Sequence, residues 1–277
     1  MTAEHSLAKL PIGIFDSGMG GLTVLRALRE HLPCEHLLYL GDTARLPYGT
    51  KGPETVSRYA VQAASHLVER GTKMLVIACN TASAVAMPTL TKEFAPLPVV
   101  GVVEASAEAA VGASKTGHIA VLATESTVRG GAYERAIKSR HADALVFSQA
   151  CSLFVALAEE GWTSGPLVDA VVREYLQPML AEKKREGLDC VVLGCTHFPL
   201  LKETIAHVAG ADVTLVDSSE TVALAVAKIL HASKLARTSG SGATRYLATD
   251  GTERFARVGS LFLGESISLQ DVELVDL

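Results

Sequence analysis

Short, evenly apolar stretches that end in small or polar residues recur along the chain: PIGIFDSG, LLYLGDT, MLVIACNT, PVVGVVEAS, HIAVLATES, CVVLGCTH, VTLVDSSE and RYLATDG. Each is about strand length and too evenly apolar for a strand wetted on one face, so each reads as a strand buried on both. Segments with helical spacing lie between them. In PETVSRYAVQAASHLVER, Val56, Tyr59, Ala63 and Leu67 fall at helical intervals. Pro53 suits the first turn, where its missing N–H costs nothing, and Gly71 suits the stop, where the backbone turns left-handed. Strands alternating with helices predict an α/β fold with parallel sheets covered on both faces. In such sheets the loops leaving the carboxyl ends of the strands build the site.

The pattern also echoes itself. IGIF and DSG followed by MLVIA and Cys79 are matched by IAVLA and TES followed by CVVLG and Cys195. Each unit runs strand, polar loop, helix and strand, then places a cysteine where the strand stops. The expectation is two similar parallel-sheet α/β domains facing each other across an active-site cleft, with the thiols opposed. Residues 1–102 with 216–277 would form the first domain and 103–215 the second. HASKLARTSGSGA, rich in small and polar residues, reads as a connecting loop that leads into one further strand and helix.

Length and composition fit this division: 277 residues at 48% hydrophobic can fill two cores. The net charge of −5 and the absence of a basic run argue against nucleic acid and against an anionic membrane surface as partners. No apolar stretch approaches the roughly 18 residues that span a bilayer. MTAEHSLAKL lacks the apolar centre of a signal peptide, so a cytoplasmic location is expected. The five cysteines are an odd set without a CxxC pair or a zinc-like Cys/His spacing, which disfavours structural disulfides and metal. Nothing in the pattern decides between a monomer and a homodimer.

Most thiols in a reducing compartment are small buried hydrophobes. Cys79 and Cys195 stand apart because they share one pattern. Cys79 is followed by Asn80, Thr81 and Ser83, and Cys195 by Thr196 and His197. A thiol at a helix start feels the positive end of the dipole, which lowers its pKa and lets it act as a base. The plainer reading of either segment alone is a buried cysteine beside a capping threonine. The loop DSGMGGLTVL offers the Asp16 carboxylate, the Ser17 hydroxyl and glycines that let backbone amides approach a ligand, or it is simply a tight turn. GxGxxG and the GxxxxGK phosphate loop are both absent, so a dinucleotide or triphosphate has no support here. LGDTARLPYGTKG adds Tyr48 and Gly49, able to contact a ligand through hydroxyl or amide. Glu159, in CSLFVALAEEGW, is a further candidate beside the plainer reading of a solvated helix residue.

DSGMGG, RLPYG, ACNTASA and LGCTHFPLL, in this order and spacing, resemble the glutamate racemase branch of the aspartate/glutamate racemase superfamily over nearly the whole chain. The resemblance implies a cofactor-independent isomerase, working without pyridoxal phosphate, that interconverts L- and D-glutamate and supplies D-glutamate for peptidoglycan. It implies Cys79 and Cys195 as the two bases, and Asp16, Ser17, Tyr48, Gly49, Asn80, Thr81, Thr196 and His197 around the substrate, with Asp16 and His197 assisting their respective cysteines. Ala105 and Ser106 stand where the family often has Pro-Gly, and Gly130 where serine is frequent. Three other readings keep parts of this pattern: an aspartate or hydantoin racemase, a two-lobed binding module for a small anion, and a hydrolase in which His197 activates Cys195.

Overall fold

A computed structural model describes residues 7–277, without the side chains of residues 182–186. The first six residues, on which the reading of the leader partly rests, lie outside the described residues. The chain lays down β1 (Ile12–Asp16), β2 (Leu37–Gly41), β3 (Met74–Ile77) and β4 (Val99–Gly101). It then builds β5 (His118–Ala123), β6 (Leu145–Ala150), β7 (Cys190–Gly194) and β8 (Thr214–Asp217), and returns for β9 (Thr244–Ala248) and β10 (Val272–Leu274). These form two sheets, ordered β10-β9-β2-β1-β3-β4 and β6-β5-β7-β8. Every pairing in both is parallel.

The two sheets carry the internal repeat into three dimensions: β2-β1-β3-β4 and β6-β5-β7-β8 are the same winding, made twice. Cys79 and Cys195 each follow the third strand of their unit. The molecule is thus two parallel-sheet α/β domains, with β9 and β10 added beside β2.

Alternation along the strands fills a separate core on each face. In β1, Ile12 and Ile14 pack on one side and Phe15 on the other; in β3, Met74 and Val76 oppose Leu75 and Ile77. In the second sheet, Val191 and Leu193 of β7 oppose Cys190 and Val192. Covering these faces requires helices: α1 (Leu22–His31), α2 (Pro53–Glu69), α3 (Asn80–Glu93), α4 (Val102–Ala113), α5 (Glu125–Gly130), α6 (Ala132–Lys138), α7 (Ser152–Glu159), α8 (Pro166–Glu186), α9 (Lys202–Ala209), α10 (Ser218–Ala232) and α11 (Thr252–Leu263). Pro53 opens α2, and Gly71 takes a φ of +78° just beyond its end.

The chain crosses between the sheets through α4 and α10, which pack on each other. At Ser106 a hydroxyl bridge joins the two crossing helices. Its Oγ donates to the Val102 carbonyl at 2.7 Å and lies 3.1 Å from Thr221 Oγ1. The second sheet ends at Asp217, and α10 begins the return. The tail after the connecting loop holds two strands rather than the expected one, because three residues of β10 pair with β9. Among the described residues, no helix is long and apolar enough to cross a membrane.

Candidate active site

A cavity of about 140 Å³ lies between the strand ends of the two domains, and both Cys79 and Cys195 line it. Ser17, Tyr48, Gly49, Asn80 and Thr81 wall it from the first domain. Thr196 and His197 wall it from the second. Of the ten residues expected around a ligand, only Asp16 is not in the wall: it is fully buried, close enough to Cys79 to act on it through charge.

Cys79 caps α3, and its sulfur accepts from the Ala82 N–H at 3.5 Å and donates to Ser17 Oγ at 3.4 Å. The helix start is where the sequence placed it, but it does not lower the thiol's pKa. Burial, then the neighbouring Asp16 carboxylate, outweigh these bonds and push the thiol up to about 12. The Asp16 carboxyl is itself raised by burial. Its Oδ2 accepts from the Gly18 N–H at 2.9 Å, while Oδ1 has no partner among the described residues.

Cys195 sits differently. The segment after it is a 3-10 turn, Phe198–Leu201, before α9 starts at Lys202, so no α-helix begins at this sulfur. A histidine stands there instead: His197 Nδ1 lies 3.8 Å from Cys195 Sγ, and Nε2 lies 3.1 Å from Glu159 Oε1. Burial opposes charge on this imidazole, yet the sulfur and the Glu159 carboxylate overcome it and push its pKa up to about 10. Glu159, a candidate whose plainer reading is a solvated helix residue, is largely buried and shared with Arg254 of the other domain at 2.6 Å. First-domain elements also confine the ring. Phe262 of α11 meets it edge-on at 5.0 Å between centroids, and a Cβ on Gly20 would stand 2.6 Å from its Nδ1.

The remaining wall is hydrogen-bonding. Asn80 is buried, with Oδ1 accepting from Tyr133 and Nδ2 without a partner among the described residues. Thr81 Oγ1 reaches across the cleft to Thr124 Oγ1 at 3.0 Å. Tyr48 presents its ring rather than its hydroxyl, which donates to Asp42. That carboxylate is also held by Arg45 at 2.7 Å and Thr249 at 3.0 Å. Gly49 is pressed against the second domain: a Cβ on it would stand 2.9 Å from Thr124 Cβ.

Thr124, Glu125, Ser152 and Val155 also line the cavity and were not anticipated. A signal for the first two existed. The repeat that pairs the cysteines also sets TES, with Thr124 and Glu125, opposite DSG, with Asp16 and Ser17. Asp42 and Tyr133 leave no such trace, because each acts through another side chain.

A family model described as Asp/Glu/Hydantoin racemase matches residues 21–227. A glutamate racemase of Geobacter metallireducens is 48% identical over 267 residues, covering 96% of both chains. The fold is similar to a glutamate racemase from Francisella tularensis solved in complex with D-glutamate, with TM-score 0.89, 36% identity and 98% of each chain covered. It is also similar to a glutamate racemase from Thermus thermophilus in complex with β-chloro-D-alanine, with TM-score 0.87, 43% identity and the same coverage.

Proposed function

The chain belongs to the Asp/Glu/Hydantoin racemase family, and from that premise we propose that it interconverts L- and D-glutamate by proton transfer between Cys79 and Cys195. One observation carries the proposal: two thiols, at equivalent positions of two repeat-related domains, line a single small cavity. Inverting a stereocentre by proton transfer needs a base on one face of the α-carbon and an acid on the other, because one fixed group returns the proton to the face it left. The domain division that goes with this reading is 1–102 with 218–277 against 103–217, the return moved from the expected 216 to follow β8, which pairs with β7.

The two sulfurs have different surroundings. Cys79, with its pKa pushed up to about 12, holds its proton. His197, its pKa pushed up to about 10, stands beside the Cys195 sulfur and Glu159. In the direction from L- to D-glutamate, Cys195 is the base and Cys79 the acid. Cys195 takes the α-proton, Cys79 delivers its own to the opposite face, and D-glutamate leaves behind the reverse state. The substrate ammonium, entering beside Cys79, opposes the negative field that keeps that thiol protonated and so permits the return reaction.

Charge that develops on the α-carboxylate in the carbanion-like state needs fixed donors. The unpartnered Asn80 Nδ2 and the hydroxyls of Ser17, Thr81 and Thr196 supply them. Glu125, at the second-domain wall, repels the side-chain carboxylate unless that group points elsewhere, which limits how the substrate lies. The cellular role that follows is supply of D-glutamate for peptidoglycan in the cytoplasm. Polarimetry with L-glutamate, L-aspartate and a 5-substituted hydantoin offered separately tests the substrate. Loss of rotation with glutamate alone is expected, and loss with either other compound but not glutamate would overturn the choice.

A further inference from the structure

Tyr133 belongs to VRGGAY, a segment the proposed chemistry does not use. It lies on α6 of the second domain, its side chain buried, and its hydroxyl crosses to the first domain to donate to Asn80 Oδ1 at 2.5 Å. The ring rests on Gly194, the last residue of β7. A Cβ on Gly194 would stand 3.0 Å from Tyr133 Cε2 and 2.8 Å from the Leu122 carbonyl oxygen. Gly194 precedes Cys195, and Asn80 follows Cys79. One side chain therefore touches the immediate neighbours of both thiols.

We infer that Tyr133 is a positioning residue for the reaction: a strut between the domains that fixes the Asn80 amide and spaces the two cysteine-bearing segments. The inference rests on the two-cysteine reading above. An amide's two ends are told apart by their partners. The phenol occupies Oδ1, and that leaves Nδ2, buried and unpaired, as the end offered to the cavity that Asn80 lines. A buried N–H group without an acceptor is costly, and a substrate carboxylate is the acceptor that removes the cost. Without the phenol, the amide is free to turn and present an oxygen, which repels a carboxylate. Because phenol and amide belong to different domains, their bond exists only in the closed arrangement. Closing the cleft and presenting the donor are then one event. Gly194 completes the device, since any side chain there would meet both the ring and the carbonyl of the neighbouring strand.

Tyr133→Phe removes one oxygen and keeps the ring against Gly194. The test compares wild type, Tyr133→Phe, Asn80→Ala and the double variant for racemisation from each enantiomer, with thermal midpoints measured alongside. L-glutamate binding by calorimetry, with Cys79→Ser and Cys195→Ser added to every variant, repeats the cycle without turnover. The hydroxyl's loss should lower kcat/KM roughly tenfold, by the same factor from both enantiomers, because a racemisation equilibrium is symmetric. In the Asn80→Ala background the same change should shift kcat/KM and affinity by less than about twofold. No loss in the wild-type background overturns the assignment. So does an equal loss in both backgrounds, which would mean the hydroxyl acts through packing and not through Asn80. Wild-type protein that leaves glutamate unchanged would overturn the functional reading itself, whereas an active wild type with either of those patterns overturns this inference alone.

Discussion

Asp16→Asn removes one buried charge beside Cys79 while sparing the bonds around it. The carboxylate Oδ2 that accepts from the Gly18 N–H can be replaced by the amide oxygen, and the amide nitrogen falls where Oδ1 has no partner to lose. Burial is the larger cause of the high Cys79 pKa and Asp16 the second. A thiol at about 12 rather than its ordinary 9.0 is three pH units harder to ionise. At pH 8 that leaves about one molecule in ten thousand as thiolate, against about one in ten for an ordinary thiol. With burial kept and the charge gone, a fall of about one unit is expected, which is about tenfold more thiolate. Iodoacetamide labelling at pH 8, followed by mass spectrometry of the Cys79 peptide, reads this fraction directly. Half-buried Cys34, outside the cavity, serves as the internal standard. Cys79 labelling about tenfold faster, with Cys34 unchanged, is the expected result. Labelling of Cys79 that is unchanged or slower would refute the claim that Asp16 helps hold this thiol protonated.

Cys79→Ser and Cys195→Ser should each lower racemisation by orders of magnitude, since an alcohol is a far weaker acid than a thiol; each should retain elimination from one enantiomer of a glutamate analogue with a β-leaving group. Near-normal racemisation by both variants would remove the two-base assignment. Lys73→Met should destabilise the fold by about 3–5 kcal/mol in urea titration, because it leaves the Glu35 charge buried without its partner. Turnover per folded molecule should stay the same, and a selective loss of turnover would show that the pair reaches the site. His197, raised above the ordinary 6.5 to about 10, stabilises the fold fully below pH about 6.5, and that contribution is lost as pH rises through about 10. The stability difference between wild type and His197→Gln should therefore shrink over that range in denaturant titrations. A difference that grows with pH would contradict the charged histidine.

All eight apolar runs became strands, because parallel strands buried on both faces must be apolar throughout, and that leaves a continuous signal. The two strands that escaped notice lie at sheet edges. β6 is half-exposed and mixes Ser148 and Gln149 with apolar residues, and β10 has three residues. The cysteines were legible through repetition, and the residues next to them through adjacency. What adjacency could not show is interaction between separate elements. The effect of burial and Asp16 on Cys79 reverses the expected direction of its pKa, and a helix start seen in sequence carries no information about desolvation. Glu159 became part of the site only when α7 brought it to His197, and Tyr48 lost its hydroxyl to Asp42, a residue six positions earlier whose role depends on Arg45 and Thr249 as well.

The central claim is that two thiols act on opposite faces of one α-carbon. The most direct test follows reduced protein with L-glutamate in D2O, stopped at early conversion, with the α-position of each enantiomer assayed after chiral separation. Two opposed bases predict D-glutamate carrying deuterium at the α-carbon while the remaining L-glutamate keeps its proton. Early D-glutamate that retains the substrate's own proton would mean that one group moves it from face to face, and the two-cysteine account would be wrong.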